Sequence, residues 1–178
     1  MGHIFNGDFS HLESGKRQKI LPAKEILEKI GIRIGDTVID YGAGIGYFAI
    51  PALDYVGEKG NVIAIDISGD MIKELRKRAR ERPNLTVVEG DMLPDEKADV
   101  ILLINVLHEL DSPEEFLKRC FAHLLPHGRV IVIDWQKKET DMGPPVDHRI
   151  SREEVITFAK RKTIEHKIHN FLYFLEFR

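Results

Sequence analysis

Five short apolar runs, each closing on a polar residue and separated by helical or turn-rich stretches, constrain this chain more than any other feature. They are Val38–Asp40, Asn61–Asp66, Leu85–Asp91, Asp99–Asn105 and Gly128–Asp134. Val100–Ile104 shows no polar alternation, as expected for a strand covered by helices on both faces. Strands that alternate with helices imply a parallel sheet, because each parallel return needs a crossover. The expected class is therefore α/β, a three-layer sandwich around a doubly wound sheet. Ligands of such folds bind beyond the carboxyl ends of the strands. Asp40, Asp66, Asp91, Asn105 and Asp134 should then gather on one rim.

The first run leads into Gly42-Ala43-Gly44-Ile45-Gly46, read as strand, tight turn and helix start. Glycines there let a ligand approach backbone that Cβ atoms would screen, and aim free N–H groups at it. About twenty residues on, Asp66 stands where dinucleotide-binding logic places a carboxylate on a ribose diol. The pyrophosphate pattern G-x-G-x-x-G would need a glycine at position 47, which is Tyr47. A nicotinamide-dependent oxidoreductase is thus an alternative that the displaced third glycine opposes.

With 178 residues, one domain over 1–178 is expected. A hydrophobic fraction of 43% and a formal charge of −3 describe a globular chain without general attraction to nucleic acid or anionic membrane. Cys120 is the sole cysteine, which excludes an intrachain disulfide and a cysteine-based zinc cluster. No apolar run is long enough to span a bilayer and Met1–Asn6 lacks a signal-peptide core, so a cytoplasmic setting is expected.

Residues 1–20 lack helical or strand periodicity and read as a draped segment, which with the helix from Pro22 to Ile30 makes up residues 1–30. Helices are expected from Tyr47 to Tyr55, from Ser68 to Arg82 and, after a capping box at Ser112-Pro113-Glu114-Glu115, to about His123. A second capping box, Ser151–Glu154, opens a helix to about Lys162, and two strands with a turn near Asn170 end the chain. Gln136–Arg149, with Met142-Gly143-Pro144-Pro145, should be a long loop. The basic residues of the Ser68 helix read as a solvated face rather than a nucleic-acid surface.

Asp40-Tyr41-Gly42-Ala43-Gly44-Ile45-Gly46 resembles the first motif of class I S-adenosylmethionine (SAM)-dependent methyltransferases, an acid, one residue, then G-x-G-x-G. Leu85–Met92, Asp99–Asn105 and Leu124–Asp134 resemble that family's third, fourth and fifth strands in order. The resemblance implies a seven-stranded, mostly parallel sheet with the last strand antiparallel, and SAM as cofactor. It implies cofactor contacts at Asp40, Gly42, Ala43, Gly44, Gly46, Asp66, Ile67, Met71, Gly90, Asp91, Met92 and Asn105. Asp40 would attract the ammonium, Asp66 the ribose, and Asp91 and Met92 the adenine. N-terminal extensions in such enzymes often close over the site as a lid.

Methyl transfer from a sulfonium is an in-line displacement, so the protein mainly aligns and dries the reactants. For a hydroxyl or acidic-carbon acceptor a general base would help, and His108 is the first candidate, with Glu109, His148 and Asp134 behind it. His11, Tyr47, Glu109, Trp135 and His148 are candidate substrate contacts, Trp135 as an aromatic wall or as core. Asn105-Val106-Leu107-His108 departs from the Asn-Pro-Pro-Tyr motif of amino-nitrogen nucleic-acid methyltransferases, which disfavours DNA. Leu125-Pro126-His127-Gly128 resembles the small-molecule branch that includes quinone-precursor methyltransferases, whose other signatures are absent. No metal is expected. The reading is a methyltransferase of a small-molecule acceptor, with a noncatalytic SAM-binding or interaction module as the alternative.

Overall fold

The computed structural model describes residues 15–178. The helices are α1 (Gly15–Ile20), α2 (Ala23–Ile30), α3 (Ala49–Val56), α4 (Gly69–Ala79), α5 (Pro113–Ala122) and α6 (Arg152–Ala159). The strands are β1 (Thr37–Tyr41), β2 (Asn61–Asp66), β3 (Leu85–Glu89), β4 (Ala98–Ile104), β5 (Leu124–Trp135), β6 (Thr163–Glu165) and β7 (Leu172–Phe177), and 3-10 turns lie at Leu107–Glu109 and Val146–His148. The strands form one sheet in the order β3-β2-β1-β4-β5-β7-β6. β1 to β5 pair in parallel, and β7 runs antiparallel to both β5 and β6. The expected α/β class and seven-stranded sheet are both present.

Side chains alternate across the pleat, so each strand feeds two cores. Val38, Val62, Ala64, Leu102, Ile131 and Ile133 pack with α2, α3 and α4 through Leu27, Leu53 and Leu75. Ile39, Ile63, Ile101, Leu103, Val132 and Leu175 pack with α5 and α6 through Phe116, Leu117 and Val155. Strand order reverses between β1 and β4, and the crevice at such a switch point is where an open α/β sheet takes its ligand.

Several element boundaries differ from the sequence expectation for local reasons. Residues 15–20 form α1 rather than a draped coil, with Ile20 buried; residues 1–14, with the rest of the expected lid, lie outside the described residues. α3 begins at Ala49, two residues late, after the glycine turn. α4 stops at Ala79 because Arg80 takes φ 53°, and α6 stops at Ala159 because Lys160 takes the left-handed conformation. Ser112 makes no side-chain cap, leaving Pro113 to start α5, whereas Ser151 and Glu154 do form the capping box. Leu125–Gly128 is not a turn. It extends β5 through a register irregularity opposite Ala98 and Val100, where a Cβ on Gly128 would lie 2.8 Å from the Ala98 carbonyl oxygen.

Candidate active site

Parallel register brings the ends of β1, β2 and β3 level, with Tyr41 opposite Ile65 and Asp66 opposite Glu89. The glycine turn sits on this rim, but most of its amides already have partners. Gly42 and Ala43 N–H both donate to the Ile65 carbonyl, Gly46 N–H to the Ala43 carbonyl, and Gly44 N–H to Asp66 Oδ2 at 2.7 Å. The expectation of free N–H groups is therefore corrected for these four residues: the turn offers shape rather than donors. Its glycines also differ in purpose. A Cβ on Gly42 would come within 2.7 Å of Val106, and one on Gly46 within 2.9 Å of Ile50, so both are packed against side chains. Gly44, at φ +54°, has nothing within 4 Å of its Cβ position. Its face is where a ligand can lie.

Around that face the structure places groups of distinct chemistry. Asp40 is 3% exposed, and its Oδ2 is buried without a hydrogen-bond partner. Burial pushes its carboxyl up to about 7, opposed by the Ala49 N–H and the Arg17 charge and reinforced by Asp66. A buried acceptor of that kind is costly unless a donor arrives. Asp66 accepts from Gly44 N–H and, through Oδ1, from Ser68 N–H at 2.9 Å, so it holds the turn and α4 as well as facing the rim. Beyond it, Ile67 is 74% and Met92 66% exposed, two large apolar side chains next to Asp66 and Asp91. The Tyr41 hydroxyl donates to the Asp91 carbonyl, and Gly90 N–H to the Asp66 carbonyl, fixing the chain where Asp91 projects into solvent. Met71 is buried on α4, and Ala43 packs in the core.

The β4 end carries Asn105 at φ 55°, with Oδ1 buried and unpartnered. Strained backbone with an orphan acceptor at a strand end is a frequent mark of a binding site. The 3-10 turn then delivers His108 onto the end of β5. His108 Nδ1 lies 2.7 Å from Asp134 Oδ1, and the Asp134 carboxylate also accepts from His108 N–H at 3.2 Å and Trp135 N–H at 2.8 Å. Asp134 is 1% exposed and accepts from Nδ1, so whenever the ring is neutral Nδ1 carries the hydrogen and Nε2 keeps its lone pair. Burial of the ring favours its neutral form. The hydrogen bond and charge of Asp134, with Glu109, outweigh this and raise His108 above its ordinary value, against the Arg149 charge.

Of the other sequence candidates, Glu109 is exposed with Oε1 3.8 Å from His108 Nε2, and His148 is exposed on the 136–149 loop. Trp135 turns into the core on the face opposite Asp134, with the ring against Gly143 and the Arg149 guanidinium 5.5 Å from its centroid. Tyr47 donates to the Leu21 carbonyl at 2.8 Å and joins the N-terminal segment to the turn. His11 lies outside the described residues. Arg149 was not singled out in the sequence. It is 3% exposed and donates to the carbonyls of Pro144, Gln136, Lys138 and Met142, so one side chain folds the loop. No group of three or more His, Cys, Asp or Glu that could hold a metal occurs among the described residues.

A family model described as a methyltransferase domain matches residues 39–132, the stretch from the first strand through β5. A ubiquinone/menaquinone biosynthesis C-methyltransferase of Azotobacter vinelandii is 31% identical over 118 residues, 62% of this chain and 47% of that protein. Its counterpart in Serratia proteamaculans is 31% identical over 114 residues, covering 60% and 45%. The chain spans about half the length of the curated relatives it matches. The crystal structure of a SAM-dependent methyltransferase from Aquifex aeolicus superposes with a TM-score of 0.85 at 27% identity, covering 95% of each chain. With more than half of its residues matched by the family model, and with the strand-end acids and glycine turn in place, the chain belongs to the methyltransferase domain family.

Proposed function

We propose that this protein is a SAM-dependent methyltransferase acting on a small-molecule acceptor. The observation that carries the reading is the open face of Gly44, bordered by the partnerless Asp40 Oδ2 and by Asp66. A zwitterionic nucleoside fits that set. Asp40 would take the ammonium, Asp66 the ribose hydroxyls, and the exposed Ile67 and Met92 the faces of the adenine, whose amine would reach Asp91. Gly42, Gly44, Gly46 and Gly90 would keep the backbone clear, with Ala43, Met71 and Asn105 shaping the same wall. Bound SAM supplies an electrophilic methyl group on a sulfonium. In this reading residues 1–178 form one domain, and α1 and α2 belong to it on the N-terminal side of the first strand.

The chain's own part in the reaction is alignment and proton handling. His108 Nε2, with Nδ1–H fixed on Asp134, is built to accept a proton from a hydroxyl or acidic carbon as the methyl group arrives. The buried carboxylate steadies the imidazolium that forms, and Glu109, 3.8 Å from Nε2, adds to that field. Tyr47, Trp135 and His148 would bound the acceptor's space. Among the described residues no helix is long and apolar enough to cross a membrane. On the basic helix α4, Arg78 and Lys77 pair with Glu74 and Arg76 donates to the Val87 carbonyl, which leaves less free charge than a nucleic-acid surface would want.

Titration calorimetry with SAM and with S-adenosylhomocysteine tests the cofactor, and a folded protein that binds neither ends the proposal. Incubation with methyl-labelled SAM and a cell extract tests the acceptor: label should enter the small-molecule fraction, and label confined to protein or nucleic acid would refute that part.

A further inference from the structure

β7 sets a further polar group beside the His108–Asp134 pair. Because β7 runs antiparallel to β5, its start rather than its end lies at the ligand rim, and there Tyr173 is the direct partner of Asp134. Residues paired in this way put their side chains on one face of the sheet, here the face that packs with α5 and α6. The phenol is therefore the neighbour of the carboxylate that holds His108 Nδ1. Tyr173 is 3% exposed, and its hydroxyl is buried with no hydrogen-bond partner among the described residues. Burial pushes it above the ordinary tyrosine value, as do the charge of Asp134 and those of Glu154 and Glu153 in the first turn of α6, so it keeps its proton. Each of these acids is already engaged: Asp134 by His108 and Trp135, Glu154 by Ser151 and Lys137, Glu153 by Arg152. A donor is thus kept beside the dyad where leaving it unmet costs stability.

We infer that the Tyr173 hydroxyl binds the methyl acceptor, donating a hydrogen bond to the oxygen on which negative charge gathers as His108 takes the acceptor's proton. This rests on the methyltransferase reading above and adds a residue and a substrate class to it. The acceptor's proton passes to His108 Nε2, the electron pair it leaves closes on the methyl carbon, and the methyl–sulfur bond breaks with its pair on sulfur; Tyr173 keeps its own proton throughout. A neutral donor aimed at developing charge in a dry site stabilises the transition state without being ionised itself. The acceptor class is then phenols and enolisable carbonyl compounds, in which loss of one proton leaves charge on oxygen. An amine, which sheds its proton only after the methyl group has arrived, has no use for such a donor.

The test uses 4-nitrophenol, whose ionised form is yellow, added to the protein saturated with S-adenosylhomocysteine. Held between His108 and Tyr173, the probe should ionise at a pH where the free compound is colourless. Tyr173→Phe removes one oxygen and keeps the ring, and it should bind the ionised probe about tenfold to a hundredfold more weakly, the range for a hydrogen bond to a charged group. Its melting temperature should be equal or higher, because the hydroxyl it loses has no partner in the folded protein, and its affinity for S-adenosylhomocysteine should stay within about twofold. Undiminished binding of the ionised probe by Tyr173→Phe overturns the assignment, and so does a lowered melting temperature, which would make the hydroxyl a structural one. If the unaltered protein binds S-adenosylhomocysteine but does not ionise the probe, the acceptor class is wrong and the inference falls alone; if it does not bind S-adenosylhomocysteine, the methyltransferase reading is lost with it.

Discussion

Asp40 makes cofactor binding depend on pH in a calculable way. In the ligand-free protein burial holds its carboxyl at about 7, so near pH 6 it is mostly neutral. An ammonium arriving at the unpartnered Oδ2 favours the charged form and lowers that value. Binding must therefore expel a proton wherever the free protein is protonated, and affinity rises with pH until Asp40 is ionised. With a free-state value of about 7, the apparent dissociation constant is multiplied by about 11 near pH 6 and by about 1.3 near pH 7.5, a change of about eightfold or roughly 1.2 kcal/mol. The ligand's own α-amino group, ordinarily near 8, stays largely protonated over this span. Calorimetry with S-adenosylhomocysteine near pH 6.5, in two buffers of different ionisation heat, should show release of about three quarters of a proton per ligand. Asp40→Asn should bind more weakly with no such release from this site, and His108→Gln should retain it, separating Asp40 from the histidine on the same rim, whose value is also raised. The linkage to folding has the opposite sense. Asp40's folded value lies above its unfolded 3.8, so its contribution is fully present below 3.8 and is lost as pH rises through about 7. A heat of binding independent of buffer, with affinity flat from pH 6 to 7.5, would refute the reasoning.

The remaining predictions concern the turn, the dyad and the loop. Asp66→Ala should weaken S-adenosylhomocysteine by about 1 to 3 kcal/mol and, because Gly44 and Ser68 N–H lose their acceptor, should also lower the melting temperature; an unchanged melting curve would contradict its structural half. Gly44→Ala meets open space but a left-handed backbone, so it should cost roughly 1 kcal/mol of stability, whereas Gly46→Ala meets Ile50 and Leu75 and should cost about 1 to 3 kcal/mol more. Equal melting temperatures for the two variants would count against these distinct roles. Asp134→Asn removes the negative charge beside Nδ1–H, so His108 should titrate lower by nitrogen NMR, and an unmoved titration would detach the pair. Arg149→Met should leave four loop carbonyls without their donor, and trypsin should then cut faster after Lys137 and Lys138; an unchanged cleavage rate would show that the loop is held by other means.

How far these groups could be read from the sequence follows from how local their causes are. The rim acids are legible because strand ends are marked by the close of an apolar run, and parallel pairing turns five separate ends into one edge. The glycine turn is legible as a place of close approach, but not the use of its amides: nothing in the spacing tells that Asp66, twenty-two residues after Gly44, accepts the Gly44 N–H. The expected ribose ligand is therefore also the brace of the turn, so its loss should cost stability as well as affinity. His108 was legible from its place after Asn105. Its partner carried a weaker signal, an acid next to Trp135 at the end of Val130–Ile133, and their meeting across twenty-six residues is a property of the β4–β5 pairing. Arg149 had no such mark. It is a basic residue in a polar stretch, indistinguishable by composition from a solvated one, and it is drawn inward by an aromatic ring whose position only the fold decides. The pattern has a physical reason. Strand termini are fixed by short-range periodicity, while a cation on a ring is fixed by two segments meeting, so the parts of a site hardest to read are those that close it after the sheet has formed.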